Sequence, residues 1–89
     1  MALLDVNVVS TSTTMWQGKA TMVVAPAADG EIGLLVGHSP LLSVLQAGRV
    51  RITADNGDRI LIDVTGGFLS LDTDQVTVVA DDAELVAQA

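Results

Sequence analysis

Eighty-nine residues, 49% of them apolar and 17% charged, describe one small domain with a core available. It lies near the low end of what burial alone sustains, since a chain this short hides only about 60–65% of its unfolded surface. Disorder is excluded by the aliphatic and β-branched content, and the lack of cysteine excludes a disulfide framework, a thiolate metal site and a cysteine nucleophile. A net charge of −7, with only Lys19, Arg49, Arg51 and Arg59 as bases and Trp16 and Phe68 as aromatics, argues against nucleic acid as a partner.

The start Met1-Ala2-Leu3-Leu4-Asp5 lacks a basic leader. No run approaches the roughly 20 apolar residues needed to cross a bilayer. Direct membrane insertion is therefore not expected, and any link to a membrane is expected to run through a protein partner. The absence of cysteine fits a reducing compartment.

Leu4, Val6 and Val8 alternate with Asp5 and Asn7, which predicts a strand with one wet face. Ser10-Thr11-Ser12-Thr13-Thr14 is a polar connection. Met15-Trp16-Gln17-Gly18 leads into Ala20 to Ala25, a nearly continuous β-prone run expected to be a more buried strand. Pro26-Ala27-Ala28-Asp29-Gly30 closes it with turn chemistry.

The stretch from Gly30 to Leu42 holds Gly30, Gly33, Gly37, Pro40 and the single histidine, with apolar residues in nearly every gap. The spacing predicts a short buried strand over Ile32 to Val36, then a turn at Gly37-His38-Ser39-Pro40. Pro40 pushes Ser39 towards an extended conformation. Leu41 and Leu42 are expected to re-enter the core.

Next comes the clearest hairpin. Val50, Ile52 and Ala54 alternate with Arg49, Arg51 and Thr53, and Ile60, Ile62 and Val64 alternate with Arg59, Leu61 and Asp63. Residues opposite each other share a face, so even positions must pair with even positions. A two-residue Asn56-Gly57 loop would set Ile52 against Leu61 and is rejected. A three-residue loop, Asp55-Asn56-Gly57 with Gly57 left-handed, puts Ile52 opposite Ile60, Val50 opposite Ile62 and Arg49 opposite Asp63. A five-residue loop would keep the faces and pair Arg51 with Asp63.

Thr65-Gly66-Gly67 breaks the chain again. A strand with Leu69 and Leu71 inward follows, then a turn at Asp72-Thr73-Asp74-Gln75 and a strand with Val76, Val78 and Ala80 on one face. Residues 1–82 read as a sandwich domain, and the tail 83–89 starts like a capped helix too short to be stable alone. Short strands at this spacing point to an all-β sandwich or barrel.

No residue pattern suggests catalysis. His38 and Ser39 are adjacent, and neighbours in extended chain point to opposite faces, so they do not form a base and its nucleophile. The pairs Asp55/Asp58, Asp72/Asp74 and Asp81/Asp82 sit at predicted turns or strand ends, where Asp bonds its own backbone. No calcium loop, zinc ligand set or phosphate-binding glycine loop is present, and no cofactor is expected. Lys19, the only lysine, raises the alternative of a biotinyl or lipoyl carrier domain, although the usual Met-Lys-Met or Asp-Lys-Ala context is missing. A stand-alone β-sandwich binding module would need an apolar pocket with convergent polar groups, which nothing in the sequence marks. The residues alone support a small acidic β-sandwich acting as a binding or structural module.

Gly30-Glu31-Ile32-Gly33, a few apolar residues, then Gly37-His38-Ser39-Pro40-Leu41-Leu42 resembles the signature of the epsilon subunit of bacterial F-type ATP synthases. Val8-Val9-Ser10, Trp16-Gln17-Gly18, Gly48-Arg49-Val50-Arg51-Ile52, Gly66-Gly67-Phe68-Leu69 and Val76-Thr77-Val78-Val79-Ala80-Asp81 are similar to further family segments, in order, across essentially the whole chain. The resemblance implies the family's N-terminal β-sandwich of two five-stranded sheets, without the two C-terminal helices that usually follow, and no nucleotide site. It implies a non-catalytic rotor part of the central stalk that joins the gamma subunit to the c ring and couples proton-driven rotation to ATP synthesis. The location implied is peripheral, at the cytoplasmic face of the bacterial plasma membrane, and the isolated chain would be a monomer. By position in the motif, Glu31 corresponds to the contact with the c ring, and Ser10, His38 and Ser43 to the gamma-facing side. That side is expected to present an apolar patch when the subunit stands alone.

Overall fold

The computed structural model describes residues 2–11 and 13–88. Met1, Ser12 and Ala89, which the sequence reading placed in the start, the polar connection and the tail, lie outside the described residues. Nine strands occur among the described residues: β1 Leu4–Val9, β2 Thr14–Ala27, β3 Gly30–Leu35, β4 Leu41–Leu45, β5 Gly48–Ala54, β6 Arg59–Val64, β7 Gly67–Asp72, β8 Gln75–Ala80 and β9 Ala83–Gln88.

Hydrogen bonding divides them into two layers that share the long strand β2. The first runs β2–β1–β8–β7–β4 and the second β3–β2–β5–β6–β9. Counting β2 twice, each layer has five strands, as expected for the sandwich. All pairs are antiparallel except β1 with β8. Ala20 marks the transfer, because it pairs with Leu4 of β1 and with Ala54 of β5.

A bulge at Thr21 changes the inward parity of β2. Opposite β5, Ala20 faces Ala54 but Met22 already faces Thr53, so Thr21 is the extra residue. Before it, Trp16, Gly18 and Ala20 point inward; after it, Val23, Ala25 and Ala27 do. The run from Ala20 to Ala25 is therefore less buried than its composition predicts, since Thr21 and Met22 both face out and Met22 keeps 38% exposure.

The β5–β6 hairpin has the three-residue loop. Ile52 faces Ile60, Val50 faces Ile62 and Arg49 faces Asp63. Ala54 N donates to Asp58 O at 2.8 Å, and Gly57 has φ +91°. The inward residues of both layers form one cluster, built on Leu4, Val6, Val8, Val76, Val78, Leu69 and Leu71 from one side and Val23, Leu34, Val50, Ile52, Ile60 and Ile62 from the other. Burying a Val, Leu or Ile side chain contributes about 1.5–3 kcal/mol.

Three expectations are corrected. The strand expected over Ile32–Val36 is an edge strand paired only with β2, so Leu34 is buried while Leu35 is 56% exposed. Leu41 packs against the core but Leu42 points outward, because consecutive strand residues face opposite sides. The tail does not begin a helix. Residues 83–88 form β9 on the open edge of β6, with Val64 facing Ala83 and Asp63 facing Glu84. Six residues cannot repay helix nucleation, whereas a strand edge supplies partners for their backbone.

Gly67 is dictated by packing. It has φ +139°, and a Cβ there would lie 1.9 Å from the Val79 carbonyl oxygen. Gly18 accommodates the Trp16 ring, whose nearest atom would be 2.9 Å from an added Cβ.

Candidate docking face

The outer face of the first layer is apolar at one end. Val44 on β4 faces Phe68 on β7, Phe68 faces Val79 on β8, and Val79 faces Val9 on β1. One row of side chains thus crosses four strands, with Phe68 56%, Val44 53% and Val79 42% exposed. Leu42 adjoins it at 75%. The next row, Leu42–Ser70–Thr77–Asn7, is mostly polar, and the one beyond carries Asp72, Gln75, Asp5 and Lys19. The face therefore grades from apolar to charged along its strands. An apolar patch rimmed by polar groups makes this end a candidate docking face.

The Gly-His turn lies between β3 and β4. Leu35 O accepts from His38 N at 3.1 Å, with Gly37 at φ +84°, a conformation that glycine adopts without a Cβ penalty. Gly37 N donates to Asp74 Oδ1 at 2.8 Å, tying this turn to the β7–β8 turn. The His38 ring is half-buried, with Nδ1 2.8 Å from the Ser39 carbonyl oxygen. A carbonyl can only accept, so Nδ1 carries the proton and Nε2 is left for an outside group. The ring engages the Ser39 backbone rather than its hydroxyl, and no base–nucleophile pair forms.

Ser10 directly follows Val9, and Ser43 directly precedes Val44, so their backbones flank the two ends of the apolar row. Their side chains do not join it. Ser43 shares a side of β4 with buried Leu45 and lies opposite Leu69, and its Oγ donates to Val44 O at 3.3 Å. Ser10 Oγ donates to Thr13 O at 3.3 Å.

Glu31 lies on the second layer, opposite Pro26 at the β2–β3 hairpin. Arg51 Nη2 donates to both its carboxylate oxygens, at 2.8 and 2.9 Å. The expected residues thus separate, with the Ser10 and Ser43 backbones at the apolar end of the first layer, His38 at its charged end and Glu31 on the second layer. On that same layer Arg49 donates to Asp63 at 2.7 and 3.3 Å. The hydrogen bond from Arg49 is the main reason the Asp63 carboxyl lies below its ordinary value, and Asp63 correspondingly raises Arg49. A groove over Met22, Val24, Arg51, Thr53, Arg59 and Leu61 completes this surface.

Lys19 is not at a hairpin tip. It lies within β2, opposite Asp5, and its Nζ is ion-paired with the Asp5 carboxylate. A modifying enzyme needs a protruding lysine, so the carrier alternative is not supported. Among the described residues no three His, Asp or Glu side chains converge as a metal would require, and no helix is long and apolar enough to cross a membrane.

The sequence assigned Leu42 to the core and gave Val44, Phe68 and Val79 no outward role, yet a signal for this row exists. Leu41-Leu42, Phe68-Leu69 and Val78-Val79 are adjacent apolar pairs within strands, and one member of each must face out. Asp74 carried no such signal beyond its turn.

The described residues thus form a two-layer β-sandwich with an exposed apolar row at one end of its first layer and an ordered turn at the other. The chain belongs to the ATP synthase delta/epsilon chain, beta-sandwich domain family, which it matches over residues 3–86. It is 43% identical over 83 residues to an ATP synthase epsilon chain of Ralstonia nicotianae, covering 93% of this chain and 60% of that one. With an ATP synthase epsilon chain of Rhodococcus jostii it shares 44% identity over 86 residues, covering 96% and 70%. The chain thus spans about 60% of the length of some of these relatives. Its fold is similar to a chain in the OSCP/F1/c-ring structure of the Euglena gracilis mitochondrial ATP synthase, with TM-score 0.88 at 20% identity over 96% of this chain and 54% of that one. A chain in the central stalk/c-ring structure of the Tetrahymena thermophila mitochondrial ATP synthase matches with TM-score 0.72 at 15% identity, over 91% and 65%.

Proposed function

We propose that this chain is a non-catalytic rotor part of an F-type ATP synthase, joining the gamma subunit to the c ring within the central stalk and so coupling rotation to ATP synthesis. Family membership and the epsilon-chain relatives support this reading. The observation that carries it is the uncovered row Val44–Phe68–Val79, bordered by Leu42, with the turn that bears His38 at the charged end of the same face. In this reading that row meets gamma, with the Ser10 and Ser43 backbones at its ends and His38 Nε2 directed to the partner. Glu31, on the other layer, serves the c ring. The place of action is then peripheral to the membrane, at its cytoplasmic face in a bacterium.

The test is size-exclusion chromatography of this chain with the gamma subunit from the same organism, beside His38→Asp and Glu31→Lys variants. A stoichiometric complex weakened by His38→Asp and untouched by Glu31→Lys supports the reading and its two faces. A folded monomer that forms no complex with gamma refutes it.

A further inference from the structure

The β7–β8 connection is a two-residue turn, with Asp72 facing Gln75 and both central residues at positive φ, Thr73 at +47° and Asp74 at +61°. Such turns favour Asn-Gly, Asp-Gly or Gly-Gly, because glycine, and after it asparagine and aspartate, take left-handed backbone most readily. A β-branched threonine there is an outlier. The surroundings must hold this turn in place, and Asp74 shows how. Its carbonyl accepts from Asp5 N at 2.8 Å, and its carboxylate accepts from Gly37 N at 2.8 Å across 37 positions of sequence. Glycine at position 74 would suit the backbone better but would carry no acceptor.

The turn that Asp74 holds bears half-buried His38 and leads through Ser39, Pro40 and Leu41 to exposed Leu42. A loose turn would have to be ordered when a partner docks, and that ordering subtracts from affinity. We infer that Asp74 is a positioning residue, whose carboxylate clamps the Gly37–His38 turn and pre-orders the charged end of the docking face, where His38 would meet the partner. This rests on the docking reading given above. It explains why strained backbone is retained at a surface turn where glycine would relieve it.

The experiment compares the unaltered chain with Asp74→Ala, Asp74→Gly and Asp74→Asn. It reads Gly37 amide hydrogen exchange by NMR, the melting temperature and the affinity for the gamma subunit. Loss of a charge-assisted hydrogen bond predicts about tenfold faster Gly37 exchange and about tenfold weaker gamma binding in Asp74→Ala and Asp74→Gly. Asp74→Asn keeps an acceptor and tolerates left-handed backbone, so it restores most of both. In Asp74→Gly the relieved backbone offsets the lost bond, and the melting temperature stays within about 4 °C of the unaltered chain. A residue with a merely structural role would lower melting temperature and affinity together. Unchanged Gly37 exchange in Asp74→Ala, or full gamma binding by Asp74→Gly, overturns the inference. If the unaltered chain itself fails to bind gamma, the docking reading falls separately; loss of Gly37 protection in Asp74→Ala then upholds the clamp, and unchanged protection overturns it.

Discussion

Replacing Phe68 with serine tests whether the outer face of the first layer is the docking face. A buried phenylalanine removes roughly 200 Å² from water. With 56% exposure, about 100 Å² of Phe68 remains for a partner to cover. At about 25 cal/mol per Å² that is about 2.5 kcal/mol, or about 70-fold in Kd. Interface reorganisation reduces this, and a 10- to 100-fold loss is expected, about the effect of a central aromatic anchor. The fold should tolerate the change. Phe68 gains only cross-strand pairing with Val44 and Val79, about 0.2–1 kcal/mol each.

Isothermal titration calorimetry against the gamma subunit, with a thermal melt of each variant, separates binding from folding. Met22→Ser is the control, since Met22 faces out from the second layer. An unchanged Kd for folded Phe68→Ser, or an equal loss in Met22→Ser, would refute the assignment of the face.

Gly67→Ala should destabilise by about 3–5 kcal/mol, combining backbone strain with a clash against the Val79 carbonyl, and urea unfolding would show it. Thr73→Asn should stabilise by about 1 kcal/mol by suiting the left-handed turn, raising the melting temperature about 4–8 °C. For the Arg49–Asp63 pair, the folded-state value of Asp63 is depressed, so the pair's contribution is present above the ordinary aspartate value and lost as pH falls through the folded one. Stability measured against pH should therefore fall less steeply for Asp63→Asn than for the unaltered chain in that acid window.

The sequence shows most clearly what period-2 alternation controls. Strict alternation on both arms, with Gly57 at the loop, narrowed the β5–β6 register to a three- or a five-residue loop, and the three-residue loop forms. The bulge at Thr21 was invisible because Ala20 to Ala25 is uniformly β-prone, and nothing local says where two neighbours face out together. The tail misled because Asp81-Asp82 suits a helix start, while the open edge of β6 that captures it belongs to another part of the chain. The contacts that fix the candidate site were hidden for the same reason. Arg51 meets Glu31 across 20 positions and Asp74 meets Gly37 across 37, and no periodicity joins them.

The two surfaces differ in chemistry, and this leads to opposite salt responses. The row Val44–Phe68–Val79–Val9 has no charged member; the Lys19–Asp5 pair lies at the far end of that face, and the Arg49–Asp63 and Arg51–Glu31 pairs lie on the other layer. With a net charge of −7, docking by charge would require a basic partner and would weaken as salt shortened the Debye length from about 10 Å at 0.1 M to about 3 Å at 1 M. Docking by the apolar row has no such dependence. The affinity for gamma should thus change less than about threefold over that range, whereas a contact through Glu31 should weaken, because salt screens the carboxylate from any basic group it meets. Surface plasmon resonance across a salt series reads both. A steep fall in gamma affinity with salt would mean that charge, not the apolar row, holds the complex together.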